Sequence, residues 1–120
     1  MKYSISVSDT CVTVVFEGQL SAIDLIFMNQ DPLYRESIVG KKVLFMDFSG
    51  IAGSELTRED IKGLMLLGKL DSQKTKNLHL VILVTSGETA AMQSLCEQIF
   101  GDSSWQVTLC TSRADALKLL

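Results

Sequence analysis

The spacing of apolar residues predicts that the chain begins with two paired strands. From Lys2 to Ser8 apolar residues alternate with serines, and the same period of two returns from Cys11 to Glu17. A period of two is typical of a strand that is buried on one face. Because only Asp9-Thr10 separates the two segments, we expect an antiparallel hairpin that ends at Gly18 and forms one edge of a sheet.

Continuous apolar runs predict the inner strands of the same sheet. They cover Val43–Asp47 and Leu78–Val84, and a third strand is expected over Trp105–Cys110. A run without polar alternation indicates a strand that is covered on both faces, as in a parallel sheet. We expect a loop over Phe48–Ser54 and a solvated turn over Asp71–Asn77.

Segments with helical spacing separate these strands. Ser21 can cap a helix, and Pro32 is tolerated at a first helical position, so Ser21–Val39 predicts two short helices or one broken at Gln30-Asp31. Further helices are expected over Thr57–Gly68, Glu88–Phe100 and Arg113–Leu120. The predicted inward faces are Ile23, Ile26 and Phe27; Leu33, Tyr34 and Ile38; Ile61, Leu64, Met65 and Leu67 or Gly68; Ala91, Met92, Leu95, Cys96 and Ile99; and Ala116, Leu117 and Leu120.

The resulting order is β-β-α-β-α-β-α-β-α, an α/β chain with a mixed sheet in one domain over residues 1–120. With 47% hydrophobic and 21% charged residues, the composition fits one soluble globular core. The net charge of -3 gives no electrostatic reason to bind nucleic acid or an anionic membrane. The N-terminal residues do not resemble a signal peptide, and no apolar run is long enough for a membrane span.

The cysteines indicate the cellular compartment. Cys11, Cys96 and Cys110 are an odd number, lie far apart and sit among apolar residues. We therefore expect reduced thiols in the core, which favours a cytoplasmic protein over a disulfide-bonded or metal-binding one.

Three strings and their spacing resemble the STAS domain, the SpoIIAA-like fold of bacterial anti-sigma factor antagonists and of sulfate transporter tails. They are Phe16–Leu20 (FEGQL), Val43–Ile51 (VLFMDFSGI), and the closing strand with Thr111–Leu117 (TSRADAL). The resemblance extends over nearly the whole chain. It implies a non-catalytic signalling domain that binds a serine kinase or anti-sigma factor, or the ATPase subunit of a lipid-transport ABC complex.

The family's switch motif, Asp-Ser-Ser-Gly, opens the helix after the third strand. Its equivalent here is Glu55-Leu56-Thr57-Arg58, so the resemblance implies Thr57 as the phosphoacceptor, with Ser54 as a neighbouring hydroxyl. Leu56 and Arg58 depart from that motif. Thr57 also fits a plain helix cap, with Asp60 at the third helical position. A phosphate at the helix N-terminus would meet the dipole favourably but would be repelled by Glu55, Glu59 and Asp60.

The sequence contains no arrangement typical of an enzyme or a cofactor site. His79 lies alone in an apolar strand, which favours a structural histidine over a metal ligand or a base. Asp47 is expected to accept hydrogen bonds from loop N–H groups. The glycines make no phosphate-binding motif, and no nucleophile has a recognisable histidine partner. We predict no catalytic residue, no metal and no cofactor, and we expect Trp105 and Phe100 to cover the core.

Two functions remain open from the sequence. The first is a regulatory module that binds a protein through the loop and helix after the third strand; the second is a domain that senses a nucleotide or a lipid near the same loop, where Gly50 and Gly53 could admit a ligand. The sequence does not decide whether the chain forms a homodimer. The expected partner-binding residues are Ser49, Gly50, Gly53, Ser54, Glu55, Arg58, Glu59 and Lys62.

Overall fold

Within the described residues, five strands form one sheet in which the strands follow each other in chain order. The structure is a computed structural model that describes residues 2–85 and 89–120, without the side chains of residues 89–92. The strands are β1 (Lys2–Val7), β2 (Cys11–Leu20), β3 (Val43–Ser54), β4 (His79–Leu83) and β5 (Gln106–Cys110). The helices are α1 (Ala22–Gln30), α2 (Pro32–Ser37), α3 (Arg58–Lys74), α4 (Thr89–Phe100) and α5 (Arg113–Leu117).

This order confirms the predicted mixed α/β architecture, including the edge hairpin and the helix broken before Pro32. β1 is antiparallel to β2, and β2, β3, β4 and β5 are parallel to their neighbours. Each crossover leads to the next strand in the same direction. Since such crossovers keep one hand, the helices between the parallel strands collect on one face of the sheet.

The two faces of the sheet are therefore covered differently. On the helical-layer face, side chains of α1 to α4 pack on alternate strand residues such as Val14, Phe16 and Leu44. On the other face, called here the α5 face, Ala116 of α5 packs on Phe45 and its neighbours in β4 and β5. Both Leu44 and Phe45 are buried. This confirms that the apolar run beginning at Val43 is covered on both sides.

The expected loop over Phe48–Ser54 is wrong, because β3 continues to Ser54. It pairs with a longer β2 that ends at Leu20 instead of at Gly18. Two register shifts interrupt this part of the ladder, and Gly18, with a φ of 87°, supplies the left-handed conformation beside the second. A bulged strand that is rich in glycine and serine does not alternate regularly, so its sequence is typical of a loop.

The expected end of the third helix at Gly68 is also wrong. α3 runs on to Lys74, and Asp71, which was placed in a solvated turn, is buried within it. Gly68 packs α3 against α4, since a Cβ there would lie 3.1 Å from Cζ of Phe100. The glycine is needed for a close helix contact and does not terminate the helix.

Three predicted helix faces need correction, while that of α3 is confirmed. In α1 the buried residues are Leu25, Met28 and Asn29, and in α2 they are Tyr34 with the following Ile38. Only Ala116 is buried in α5. The residues wrongly expected to face inward, all exposed, are Ile23, Ile26, Phe27, Leu33, Leu117 and Leu120. In α4, Leu95, Cys96 and Ile99 pack inward as predicted, whereas Ala91 and Met92 lie outside the described side chains.

Candidate functional site

The segment between the end of β3 and the first turns of α3, residues 53–62, forms a surface that we call the β3–α3 corner. Most of its polar side chains are exposed. It brings together six of the eight predicted partner-binding residues and both hydroxyl candidates. These are Gly53, Ser54, Glu55, Thr57, Arg58, Glu59 and Lys62.

Thr57 caps α3 in the reciprocal arrangement that its sequence predicts. Its hydroxyl accepts a hydrogen bond from the Asp60 N–H at 3.1 Å, and the Asp60 carboxylate accepts one from the Thr57 N–H at 3.0 Å. Two N–H groups that the helix itself cannot satisfy are thus paired. The Thr57 hydroxyl therefore already has a structural role.

The rest of the corner is fixed by short-range hydrogen bonds. The Ser54 hydroxyl accepts from the Leu56 N–H at 3.1 Å, and the Glu55 N–H donates to the Leu20 carbonyl at 2.8 Å. These contacts tie the corner to the end of β2. The exposed side chains of Glu55 and Glu59 are therefore presented from a backbone with defined anchors.

Gly50 and Gly53 lie in the paired strand, beside β2. A Cβ on Gly50 would lie 3.1 Å from the Phe16 carbonyl oxygen, and one on Gly53 would lie 2.8 Å from Oε1 of Gln19. The space next to both glycines is thus occupied by β2. Their lack of a side chain has a packing reason in this fold.

Ser49 belongs to a different cluster, on the α5 face. Asp47 is almost fully buried and accepts hydrogen bonds from the Ser49 N–H at 2.9 Å and the Ser49 hydroxyl at 2.6 Å, which agrees with the role expected for Asp47. Arg113 at the start of α5 also donates to Asp47, in an ion pair. The sequence analysis missed Arg113, because only the tertiary fold brings it next to β3.

The protonation of Asp47 follows from these contacts. Burial alone would raise the pKa of this carboxyl group, but the hydrogen bonds from Ser49 and Arg113 and the charge of Arg113 outweigh it. The pKa of Asp47 is therefore below its ordinary value, and the group is ionised at neutral pH.

A second candidate site is a cavity between the sheet and the helical layer. Its volume is about 360 Å³, within the range of about 300–1,000 Å³ that is typical of ligand pockets. Side chains from β3, β4 and β5 form its floor, and all the helices of the layer contribute to its walls. Ser54, which is exposed, also lines the cavity, so the cavity reaches the surface at the β3–α3 corner.

Leaving this cavity empty would have a large energetic cost. At about 24 cal/mol per Å³, a dry void of this size would destabilise the fold on the order of 9 kcal/mol. That is comparable with the whole stability of an ordinary domain, about 5–15 kcal/mol. The lining is nearly all apolar and offers water few of the two to four partners that it needs. The cavity therefore favours an apolar occupant.

One end of the cavity carries a buried polar network that the sequence analysis did not find. Asn29 donates to the Asp71 carboxylate at 2.7 Å, and Nη1 of Arg35 lies 3.4 Å from its other oxygen. Tyr34, buried beside them, also lines the cavity, and burial followed by the Asp71 charge raises its pKa. The only sequence signal was a pair of polar residues, Asn29 and Asp71, at inward-facing helical positions.

The remaining candidates have structural partners. Nε2 of His79 lies 2.9 Å from the Thr108 hydroxyl, and burial lowers the pKa of His79, as expected for a structural histidine. The Phe100 and Trp105 rings stack with centroids 6.2 Å apart. All three cysteines are free. In residues 2–85 and 89–120 no group of three or more acidic, histidine or cysteine side chains could hold a metal ion, and no helix is long and apolar enough to cross a membrane.

The fold is similar to two solved structures. No protein-family model matches the sequence, and no curated protein matches it significantly. An uncharacterized DUF3478-family protein with a SpoIIAA-like fold from Shewanella loihica PV-4 is 20% identical with a TM-score of 0.56, over 99% of this chain and 92% of that one. The unphosphorylated anti-sigma factor antagonist SpoIIAA is 10% identical with a TM-score of 0.50, over 98% of this chain and 96% of its own. The chain thus has a STAS-like, or SpoIIAA-like, fold.

Proposed function

We propose that this chain is a non-catalytic regulatory domain that binds a partner protein through the β3–α3 corner. The observation that carries the proposal is the fold shared with SpoIIAA over almost the full length of both chains. An anti-sigma factor antagonist acts by binding another protein. The chemistry of the described residues is compatible with such a role, since their polar clusters have structural partners.

The charges of the corner favour a partner with a basic patch. Glu55 and Glu59 are exposed there, and Asp60 stands next to them in the capping box. Arg58 and Lys62 add positive charges that would orient the partner. Such complementary charges mainly set specificity and the association rate. A serine kinase, an anti-sigma factor and a transporter ATPase subunit are the proposed partner classes, in the cytoplasm.

Phosphorylation of Thr57 would act by loosening the start of α3. A phosphate on its hydroxyl replaces the group that accepts from the Asp60 N–H, and it brings nearly two negative charges beside Glu59 and Asp60. We propose that this modification releases the partner by disturbing the first helical turn. The Ser54 hydroxyl, which pairs with the Leu56 N–H, is the second candidate.

A capture experiment tests this proposal. The wild-type chain, Glu59→Lys and the matched control Glu36→Lys, an exposed residue of α2, serve as bait in native lysate. We expect a partner to bind the wild type and Glu36→Lys but not Glu59→Lys. Thr57→Glu should lose the partner that Thr57→Ala retains, and intact mass should reveal a phosphate. Partner binding that is indifferent to Glu59→Lys would contradict the docking surface.

A second candidate function is small-molecule sensing, and the observation that favours it is the cavity of about 360 Å³. Ser54, Leu56 and Ile61 line the cavity and also belong to the β3–α3 corner. A molecule inside would therefore contact the segment that is proposed to bind the partner. A rise in melting temperature with a bound small molecule, measured on the purified chain, tests this function.

A further inference from the structure

The cavity beneath the helical layer has walls that select a particular chemical class. Its floor includes Met46, Ile82 and Val107, which remain half-buried although helices lie above them. Well-packed interiors contain few voids larger than a water molecule. The floor residues are therefore surrounded by unfilled space, and the molecule that fills it must be predominantly aliphatic.

The strand order explains why this space lies under the helices. In doubly wound sheets ligands bind outside the strand ends, at the point where the strand order reverses. The sheet described here runs from β1 to β5 without reversal, so its described strands offer no such crevice. Space for a ligand is found between the layers instead.

The polar end of the cavity selects against charged ligands. Asp71 is already matched by Arg35 and Asn29, so the network is close to neutral as a whole. None of the described lining residues is a lysine, arginine or histidine. A phosphate or a carboxylate inside would face Asp71 without a cation on the wall to compensate it.

Tyr34 provides one neutral hydrogen-bonding group at this end. The residue is 2% exposed and lines the cavity, and its hydroxyl makes no hydrogen bond to the residues that the structure describes. A buried hydroxyl without a partner is unfavourable, and a ligand hydroxyl or amide could satisfy it.

We propose that the cavity binds a neutral long-chain aliphatic molecule with a single hydroxyl or amide group, whose chain fills the space over Met46 and Ile82 and whose polar group pairs with Tyr34. This inference rests on the second candidate function, small-molecule sensing, and is independent of the docking surface. It excludes nucleotides and ionised fatty acids as preferred ligands.

The experiment uses the only tryptophan of the chain, Trp105, which lines the cavity, as a reporter. Brominated octadecanol should quench its fluorescence in a saturable manner. Brominated stearate should bind at least about tenfold more weakly, because its carboxylate would be buried near Asp71. ATP should change neither the fluorescence nor the melting temperature.

Two pairs of variants locate the site. Leu64→Phe fills the cavity from α3 and should abolish quenching, whereas Leu66→Phe, on the exposed side of the same helix, should leave it unchanged. Tyr34→Phe should weaken binding of the alcohol roughly two- to tenfold, the worth of one hydrogen bond. Tyr3→Phe is its control, because that hydroxyl donates to Asp31 outside the cavity. The tyrosine pair keeps the test decisive if Leu64→Phe does not fold.

Each outcome discriminates. Quenching that survives Leu64→Phe in a folded protein, or that is equally strong with stearate, overturns the proposed ligand class and site. A melting-temperature increase with ATP and no quenching by the alcohol overturns the ligand class but keeps small-molecule sensing. No response to any of the three compounds overturns both the inference and the second candidate function.

Discussion

The two faces of the sheet differ in the opposite way from what their cover suggests. The α5 face is covered by one helix of five residues, yet Val81 and Leu83 are completely buried there. The helical-layer face carries α1 to α4, yet Ile82, between those two residues in the same strand, is only half-buried. The amount of secondary structure over a face therefore does not determine how well it is packed. One face is a filled core and the other encloses a cavity.

The largest expected effect comes from truncating neighbouring residues of β4. Leu83→Ala on the α5 face should cost about 2–5 kcal/mol of unfolding free energy, because it opens a void in a filled core. Ile82→Ala should cost about 1 kcal/mol, since much of that side chain already borders the cavity. Denaturant unfolding of both variants measures the difference. Equal losses would mean that the two faces are packed alike.

Enlarging valines on the two faces should produce effects of opposite sign. Val81→Leu adds a methylene to the filled α5 face and should destabilise the fold by about 1–3 kcal/mol. Val107→Leu, in the adjacent strand but lining the cavity, should be neutral or stabilising by up to about 0.8 kcal/mol. Thermal unfolding without added ligand provides the comparison. A clear destabilisation by Val107→Leu would contradict an open cavity.

The ion pair at the edge of the α5 face should have an intermediate effect. Arg113→Ala removes the partner of a buried carboxylate, but Asp47 keeps its bonds to Ser49, so we expect a loss of about 1–2 kcal/mol. Lys118→Ala, whose pair with Asp115 is exposed, should change stability by less than about 0.5 kcal/mol. Unfolding of both variants at neutral pH measures this pair, and equal effects would argue against a special role for Arg113.

The same pair predicts a pH dependence. The pKa of Asp47 is lowered in the folded state, so its contribution to stability is complete above the ordinary value of 3.8 and is lost as the pH falls through the folded pKa. Without Arg113 the folded pKa is expected to rise, and Arg113→Ala should begin to lose stability at a higher pH than the wild type. Unfolding free energies across an acidic pH series test this sign. Parallel curves for the two proteins would contradict it.

The smallest expected effect concerns the wall of the cavity. Thr57→Ala removes the cap of α3 and should cost about 1 kcal/mol, whereas Ser54→Ala should cost only a few tenths. Hydrogen exchange should show faster exchange in the first turn of α3 and no change in β4. Loss of protection that spreads to the α5 face would mean that the two faces unfold as one unit.

Sequence patterns predicted the elements well where a single periodicity covered a whole segment. The hairpin, the apolar run at Val43 and the inward face of α3 follow directly from spacing. The patterns failed where a local signal has a tertiary purpose. Gly68 suggested a helix end but serves a close contact with Phe100, and Asp71 suggested a turn but is neutralised by Arg35 from another helix.

The candidate site shows the same division. The capping box of Thr57 involves residues three apart, so it could be predicted from the chain. The ion pair of Asp47 with Arg113 joins residues 66 positions apart, and no local pattern contains it. Whether the corner residues bind a partner stays a prediction.

The sequence by itself determined the order of strands and helices and, through that order, the STAS-like fold, because periodicity and capping act over a few residues. Only the tertiary structure decided how completely each face is filled and which charges meet. Packing depends on the relative positions of side chains that are remote in sequence. The cavity between the sheet and the helical layer is the product of that second level, since each residue lining it would also suit a filled core.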